Sequence, residues 1–150
     1  MTPLQVQVRL DTRSLDRWTG EIKRKHPEVF DRILTESGML LAKTMRQKAP
    51  VRTGFLRDSI IIRKNRNWVE VGPTANYAPY VEFGTRPHII EPVHASVLAF
   101  EIGGGTVFAR RVHHPGFPGR FFVKSTKEEC LPKIQAIVKE MYQLLFRGEA

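Results

Sequence analysis

The chain has 150 residues, 41% of them hydrophobic, and its 24 Lys and Arg against 15 Asp and Glu give a formal net charge of +9 and a sequence pI near 10.1. That length fits one domain with a real core. No apolar run approaches the roughly eighteen residues of a membrane span, and the alternating start "MTPLQVQVRLD" is unlike an export signal, so synthesis in the cytosol with no membrane partner is expected. The single cysteine, Cys130, excludes an internal disulfide framework and reads as a small buried group in a helix.

In chain order, "LQVQVRL" at 4 to 10 alternates with period two, which puts Leu4, Val6, Val8 and Leu10 on one face of a short strand. Asp11, Thr12 and Ser14 supply helix-start chemistry, and the pattern turns helical from Leu15. It breaks at "HPE" and resumes with Val29, Phe30, Ile33, Leu34, Leu40, Leu41 and Met45 at spacings of three and four. Pro27 suits the first turn of this second segment, Gly38 weakens its middle, and "KAP" ends it near residue 48. This reads as the longest amphipathic element, able to cover one face of a sheet. "FLRDSIIIRK" and "WVEVG" follow as two strand-like runs joined by Asn65-Arg66-Asn67, a hairpin connection. Apolar side chains on both faces of "IIIRK" suggest a central strand.

In "YAPYVEFGT", residues 77 to 85, Asn76 can cap a short helix, Pro79 fits its first turn and Gly84 its left-handed end. Tyr77, Tyr80, Val81 and Phe83 would then form an aromatic wedge. "HIIEP" and "SVLAFEI" are further strands, and the three glycines at 103 to 105 turn the chain into "TVFARRV". "HHPGFPGRFF" is irregular and ends in a Phe121-Phe122 anchor. Ser125 to Glu128 matches a capping box before a closing amphipathic helix with Leu131, Ile134, Ile137, Val138, Met141, Leu144 and Leu145, in which Pro132 implies a kink or late start. The sum is an α+β domain, a mainly antiparallel sheet packed against a long N-terminal amphipathic helix and a C-terminal helix.

Chemistry-bearing constellations are weak. His88, His94, His113 and His114 match no common zinc spacing. Ser59 beside Asp58 lacks a nucleophile elbow, and the glycines at 103 to 105 lack the lysine of a phosphate loop. No catalytic residue, metal or cofactor is implied. The positive charge suits nucleic acid, an anionic surface or an acidic partner, but no groove-reading helix or aromatic-interleaved basic stripe accompanies it. A basic nucleic-acid-binding module is the alternative reading.

Three spaced blocks are distinctive: "TGFLRDSI" at 53 to 60, "YAPYVEFGT" at 77 to 85 and "HPGFPGRFF" at 114 to 122. In order and spacing they resemble the signature blocks of the tail-component, or head-tail joining, proteins of long-tailed bacteriophages, over roughly residues 30 to 145. A virion-morphogenesis family of contractile-tailed phages shares the last block. Here that block has Gly119-Arg120-Phe121-Phe122 where an Arg-Pro-Phe step is usual.

The resemblance implies a non-enzymatic virion protein at the tail or head-tail junction, present in the host cytoplasm during assembly. It would form a homo-oligomeric ring, with a hexamer as the expected ring, beside other tail or neck proteins and close to DNA. Gly54, Gly84, Pro115 and Gly116 are the expected structural turns. Arg57 and Glu82, lone charges in apolar blocks, are expected to pair within the subunit or across a boundary. Tyr77, Tyr80, Phe83, Arg86, Arg110 and Arg111 are the candidate interface. For the wedge rings a place in the subunit's own core stands beside that role, and is the reading favoured for Phe83. Residues 102 to 118, framed by glycines and prolines, are expected to be a mobile or assembly-dependent loop.

Overall fold

The computed structural model describes residues 6 to 11 and 16 to 147. Leu4, Thr12, Ser14 and Leu15 lie outside them. The elements are β1 (Val8–Asp11), α1 (Asp16–Lys25), α2 (Pro27–Lys48), α3 (Phe55–Asp58), β2 (Ile60–Lys64), β3 (Trp68–Pro73), α4 (Ala78–Phe83), β4 (Gly84–Thr85), β5 (His88–Ile90), β6 (Leu98–Ile102), β7 (Gly105–Ala109), β8 (Val112–His114), β9 (Phe117–Pro118) and α5 (Phe122–Leu145). This is the expected α+β class.

The body is a three-stranded antiparallel sheet in the order β1-β3-β2, with α2 against one face and α1 and α5 packed on α2. The helical spacing of α2 buries Phe30, Ile33, Leu34, Leu41, Ala42 and Met45. These meet Val8, Leu10, Val69, Val71 and Ile60 from the sheet and Cys130, Ile134 and Val138 from α5, in one core cluster. Each large aliphatic group buried there contributes about 1.5–3 kcal/mol of transfer free energy. Proline at the start of α2 separates it from α1 at His26, and the residue before Pro50 ends it, as the sequence indicates. Gly38 does more than weaken the helix. A Cβ there would lie 2.7 Å from a Val69 methyl and 3.1 Å from an Ile62 methyl, so its absence lets α2 lie close on the sheet.

Four expectations change. The strand "IIIRK" is an edge and β3 is central; only Ile60 of the three isoleucines is buried, while Ile61 and Ile62 keep one side in solvent. "FLRD" is a helical turn, begun by Gly54 at φ 88°, so Ser59 closes a turn by donating its hydroxyl to the Leu56 carbonyl. The closing helix α5, at 24 residues, is longer than the 22-residue α2. It starts at Phe122, so Ser125 lies inside it and the apparent capping box caps nothing. The Asn65 turn is as expected: its side-chain oxygen accepts from the N–H groups of Asn67 and Trp68, closing the β2–β3 hairpin.

Candidate functional site

The six-residue helix α4 points two small or polar groups inward and its rings outward. Ala78 and Glu82 are buried, whereas Tyr77 is exposed, Tyr80 is 59% exposed and Phe83 61%. The core role favoured for Phe83 is therefore overturned: helical spacing turns Phe83 to solvent when Ala78 and Glu82 face in. Tyr77 takes the N-cap position, so Asn76 is not the cap. Its ring lies 6.2 Å from that of Phe55, also exposed.

Within the subunit Arg57 and Glu82 do not meet. Arg57 donates to Asp58 at 2.8 Å in solvent, and this guanidinium holds the Asp58 carboxyl below its ordinary value. Glu82, only 2% exposed, accepts the backbone N–H groups of Val123 and Lys124, each at 2.9 Å. Phe121 is the N-cap of α5, so these are the second and third N–H groups of that helix. They are among the donors that every helix start leaves unpaired, and a carboxylate from α4 satisfies them from 41 residues upstream. Lone charge in an apolar block was a sound signal of a required partner, but the partner is backbone.

Around this cap the chain crosses itself. The Arg120 N–H donates to the Val81 carbonyl at 2.8 Å and the Phe121 N–H to the Glu82 carbonyl at 3.1 Å. Gly84 at φ 79° and Gly116 at φ 79° sit where backbone meets backbone: a Cβ on Gly84 would strike the Phe117 carbonyl oxygen and lie 2.6 Å from the Gly119 nitrogen. A Cβ on Gly116 would strike the Thr85 carbonyl oxygen. Gly54, Gly84 and Gly116 thus all take the positive φ that glycine tolerates. Gly54 is left-handed, but Gly84, at ψ −175°, departs from the expected left-handed helix end and opens β4 instead. Phe121, at φ 48°, is the single non-glycine with positive φ among the described residues, and it stands in the Gly-Arg-Phe-Phe step of the third block.

From this base a two-stranded arm extends. Gly84 faces Pro118 and, four residues further along each strand, His88 faces His114, so β4–β9 and β5–β8 keep one register across the Arg86-Pro87 and Pro115-Gly116 break. Next the outgoing strand spends seven residues, 91 to 97, against two, Arg110 and Arg111, on the return. Arg111 spans that excursion by pairing with Glu91 at 2.6 Å. The β6–β7 ladder then runs to the turn at Gly103-Gly104. What reads as separate strands and a loop at 102 to 118 is one nested hairpin.

No residue from Phe83 to Phe121 is buried, although Ile89, Val93, Ile102, Phe108 and Phe117 lie among them. His88 and His114 stack across the ladder at 5.0 Å. The His114 Nδ1 accepts the Gly116 N–H, while the His88 Nδ1 faces the Arg86 carbonyl as donor. Among the described residues no three His, Cys, Asp or Glu side chains gather around one point.

All three sequence blocks converge on the base of the arm. A cleft there is lined by Arg52 just before the first block, Thr53, Gly54 and Leu56 within it, Tyr77 and Val81 from the second and Arg120 from the third. Arg52 and Arg120 are exposed and make no side-chain hydrogen bond or ion pair among the described residues. The candidate interface residues are not one patch. Tyr77, Tyr80 and Phe83 sit on α4, Arg86 follows β4, and Arg110 and Arg111 lie further out at the excursion. Sequence reasoning missed Arg52, Arg120 and the capping role of Glu82. The glycine- and proline-rich segments on either side of a Gly-Gly-Gly turn were the available signal for the hairpin.

The α+β body carries an arm whose large apolar groups nothing in the subunit covers, and exposed apolar surface of this kind marks an interaction surface. Residues 14 to 84, just under half of the chain, match the model of the family described as "Bacteriophage HK97-gp10, putative tail-component". That match supports a structural component of a bacteriophage tail and a place in the virion, and it contains the first block and nearly all of the second. No curated protein and no solved structure matches the chain. No helix among the described residues is long and apolar enough to cross a membrane.

Proposed function

We propose that this chain completes the tail or joins it to the head, as a subunit of a homo-oligomeric ring, a hexamer, with no catalytic role. The observation carrying the proposal is the arm: from Phe83 to Phe121 the chain has no buried residue yet displays large apolar groups. A two-stranded hairpin is marginal in water by itself, so the arm gains most by being covered in an assembly. Head-to-tail ring closure requires two different patches per subunit, and the aromatic wedge at the arm's base and the arm itself supply them. The net charge of +9 suits a position close to DNA and beside other tail or neck proteins. Host cytoplasm is then the place of assembly before the virion forms.

The test is complementation of a phage whose copy of this gene is disrupted, read by electron microscopy. Without the protein, filled heads and separate tails should accumulate; normal particles would overturn the proposal. Tyr80→Ala is expected to leave the isolated protein within about 0.5 kcal/mol of wild type, as for other surface sites, yet fail to restore joined particles. A stable variant that is fully infectious would remove Tyr80 from the interface. Amide exchange checks the arm separately. Residues 102 to 118 should exchange quickly in the isolated protein and slowly in particles, and strong protection in the isolated protein would contradict an assembly-dependent arm. Steep salt-dependent DNA binding by the isolated protein would instead favour the nucleic-acid-binding reading.

A further inference from the structure

We infer that the tip of the arm docks, through Glu101 and Phe108, into the Arg52–Arg120 cleft of a second copy of this chain; the inference deepens the ring reading and rests on it for its head-to-tail geometry. Pairing places Glu101 opposite Thr106 and Ala99 opposite Phe108, so these four side chains share one face of the β6–β7 ladder. That face offers one carboxylate beside one large ring. Phe108 is 66% exposed, and Glu101 has no cationic partner among the described residues, since Arg111 at the excursion is taken by Glu91.

The cleft is complementary in both respects. Arg52 and Arg120 contribute two guanidinium groups without acidic partners, and Leu56, Val81 and Tyr77 line it with apolar surface. The two acids within the three blocks are occupied: Asp58 by Arg57, and Glu82 by the α5 backbone. A bare phosphate would use the arginines and leave the apolar lining wet, whereas a carboxylate flanked by an aromatic ring satisfies both. Reach is sufficient. The strand residues of β4, β5 and β6 on the outgoing side alone give, at about 3.3 Å each, a contour of roughly 33 Å. A body of about a hundred residues has a radius of gyration near 13 Å, so an arm of this contour can reach past its own body to a neighbouring copy.

The experiment uses the full chain with Thr53→Cys and Thr106→Cys, which place a thiol at the cleft rim and one beside Glu101 while keeping every charge. Cys130 is fully buried and stays silent. Mild oxidation of the concentrated protein should produce a ladder of linked chains extending past two. Adding Glu101→Arg should reduce linked product at least tenfold, and Arg52→Glu with Arg120→Glu in that background should restore it. No linkage between chains, or linkage indifferent to the charge at 101, overturns the inference. The ring reading is then judged separately by sedimentation of the unmodified protein. Charge-dependent linkage that stops at two chains keeps the docking contact and sinks the ring.

Discussion

Gly84→Ala is expected to lower the melting temperature by roughly 5–20 °C, at a cost of about 2–6 kcal/mol. Two physical terms add. A residue with a side chain at φ 79° and ψ −175° sits in a backbone region essentially reserved for glycine, at about 1–3 kcal/mol. The new methyl would also meet the Phe117 carbonyl oxygen and lie 2.6 Å from the Gly119 nitrogen and 2.9 Å from the Pro118 carbonyl carbon. These are backbone atoms, so no side chain can rotate aside, and overpacking of this kind costs about 1–3 kcal/mol. For a chain of this size each kcal/mol moves the midpoint by about 2–4 °C. Gly103→Ala is the control: φ is 59° there too, but nothing lies within 4 Å of the added carbon. Differential scanning calorimetry of the two variants separates clash from strain. Equal shifts would mean that the crossing at the arm base is not tight.

Local periodicity made the body legible and non-local pairing hid the rest. The three-and-four spacing in α2 identified the residues that meet the sheet, and the asparagine turn at 65 to 67 identified the β2–β3 hairpin, because each signal lies within one element. "IIIRK" misled because a run of isoleucines reads as doubly buried, while burial is decided by neighbours in the sheet; β2 has β3 on one side only. The capping box at Ser125 misled for the same reason. Its residue types fit a helix start, but the actual start, Phe122, is fixed by the carboxylate of Glu82 across a 38-residue excursion from Gly84 to Phe121. The arm's five-residue change of register between β5–β8 and β6–β7 left no trace in periodicity, since exposed strands need not alternate. In the site, the three blocks were visible and their meeting was not. Arg52 immediately precedes the first block and Arg120 lies in the last, and only the fold makes them neighbours in one cleft.

Glu82→Ala should destabilise the protein by about 3–5 kcal/mol, and Glu82→Gln by about 1–2 kcal/mol. The carboxylate is buried and accepts two backbone N–H groups of α5 at 2.9 Å, so truncation leaves two buried donors without partners. An abandoned buried donor costs about 1–3 kcal/mol, and loss of negative charge at a helix N-terminus removes up to about 2 kcal/mol more in partly buried geometry. The penalties overlap, because the same N–H groups carry the positive end of the helix dipole. Glutamine keeps the size and one acceptor, but must turn its amide nitrogen toward the second donor, which explains the smaller loss. Urea unfolding followed by circular dichroism measures both. Arg57→Ala provides the internal comparison: its partner Asp58 is in solvent, so the midpoint should hardly move, and combined with Glu82→Ala the effects should simply add. A strong coupling between positions 57 and 82 would return them to a direct ion pair and remove Glu82 as the cap of α5. Additive behaviour with a large Glu82 loss instead makes one carboxylate the joint between α4, the arm base and the closing helix.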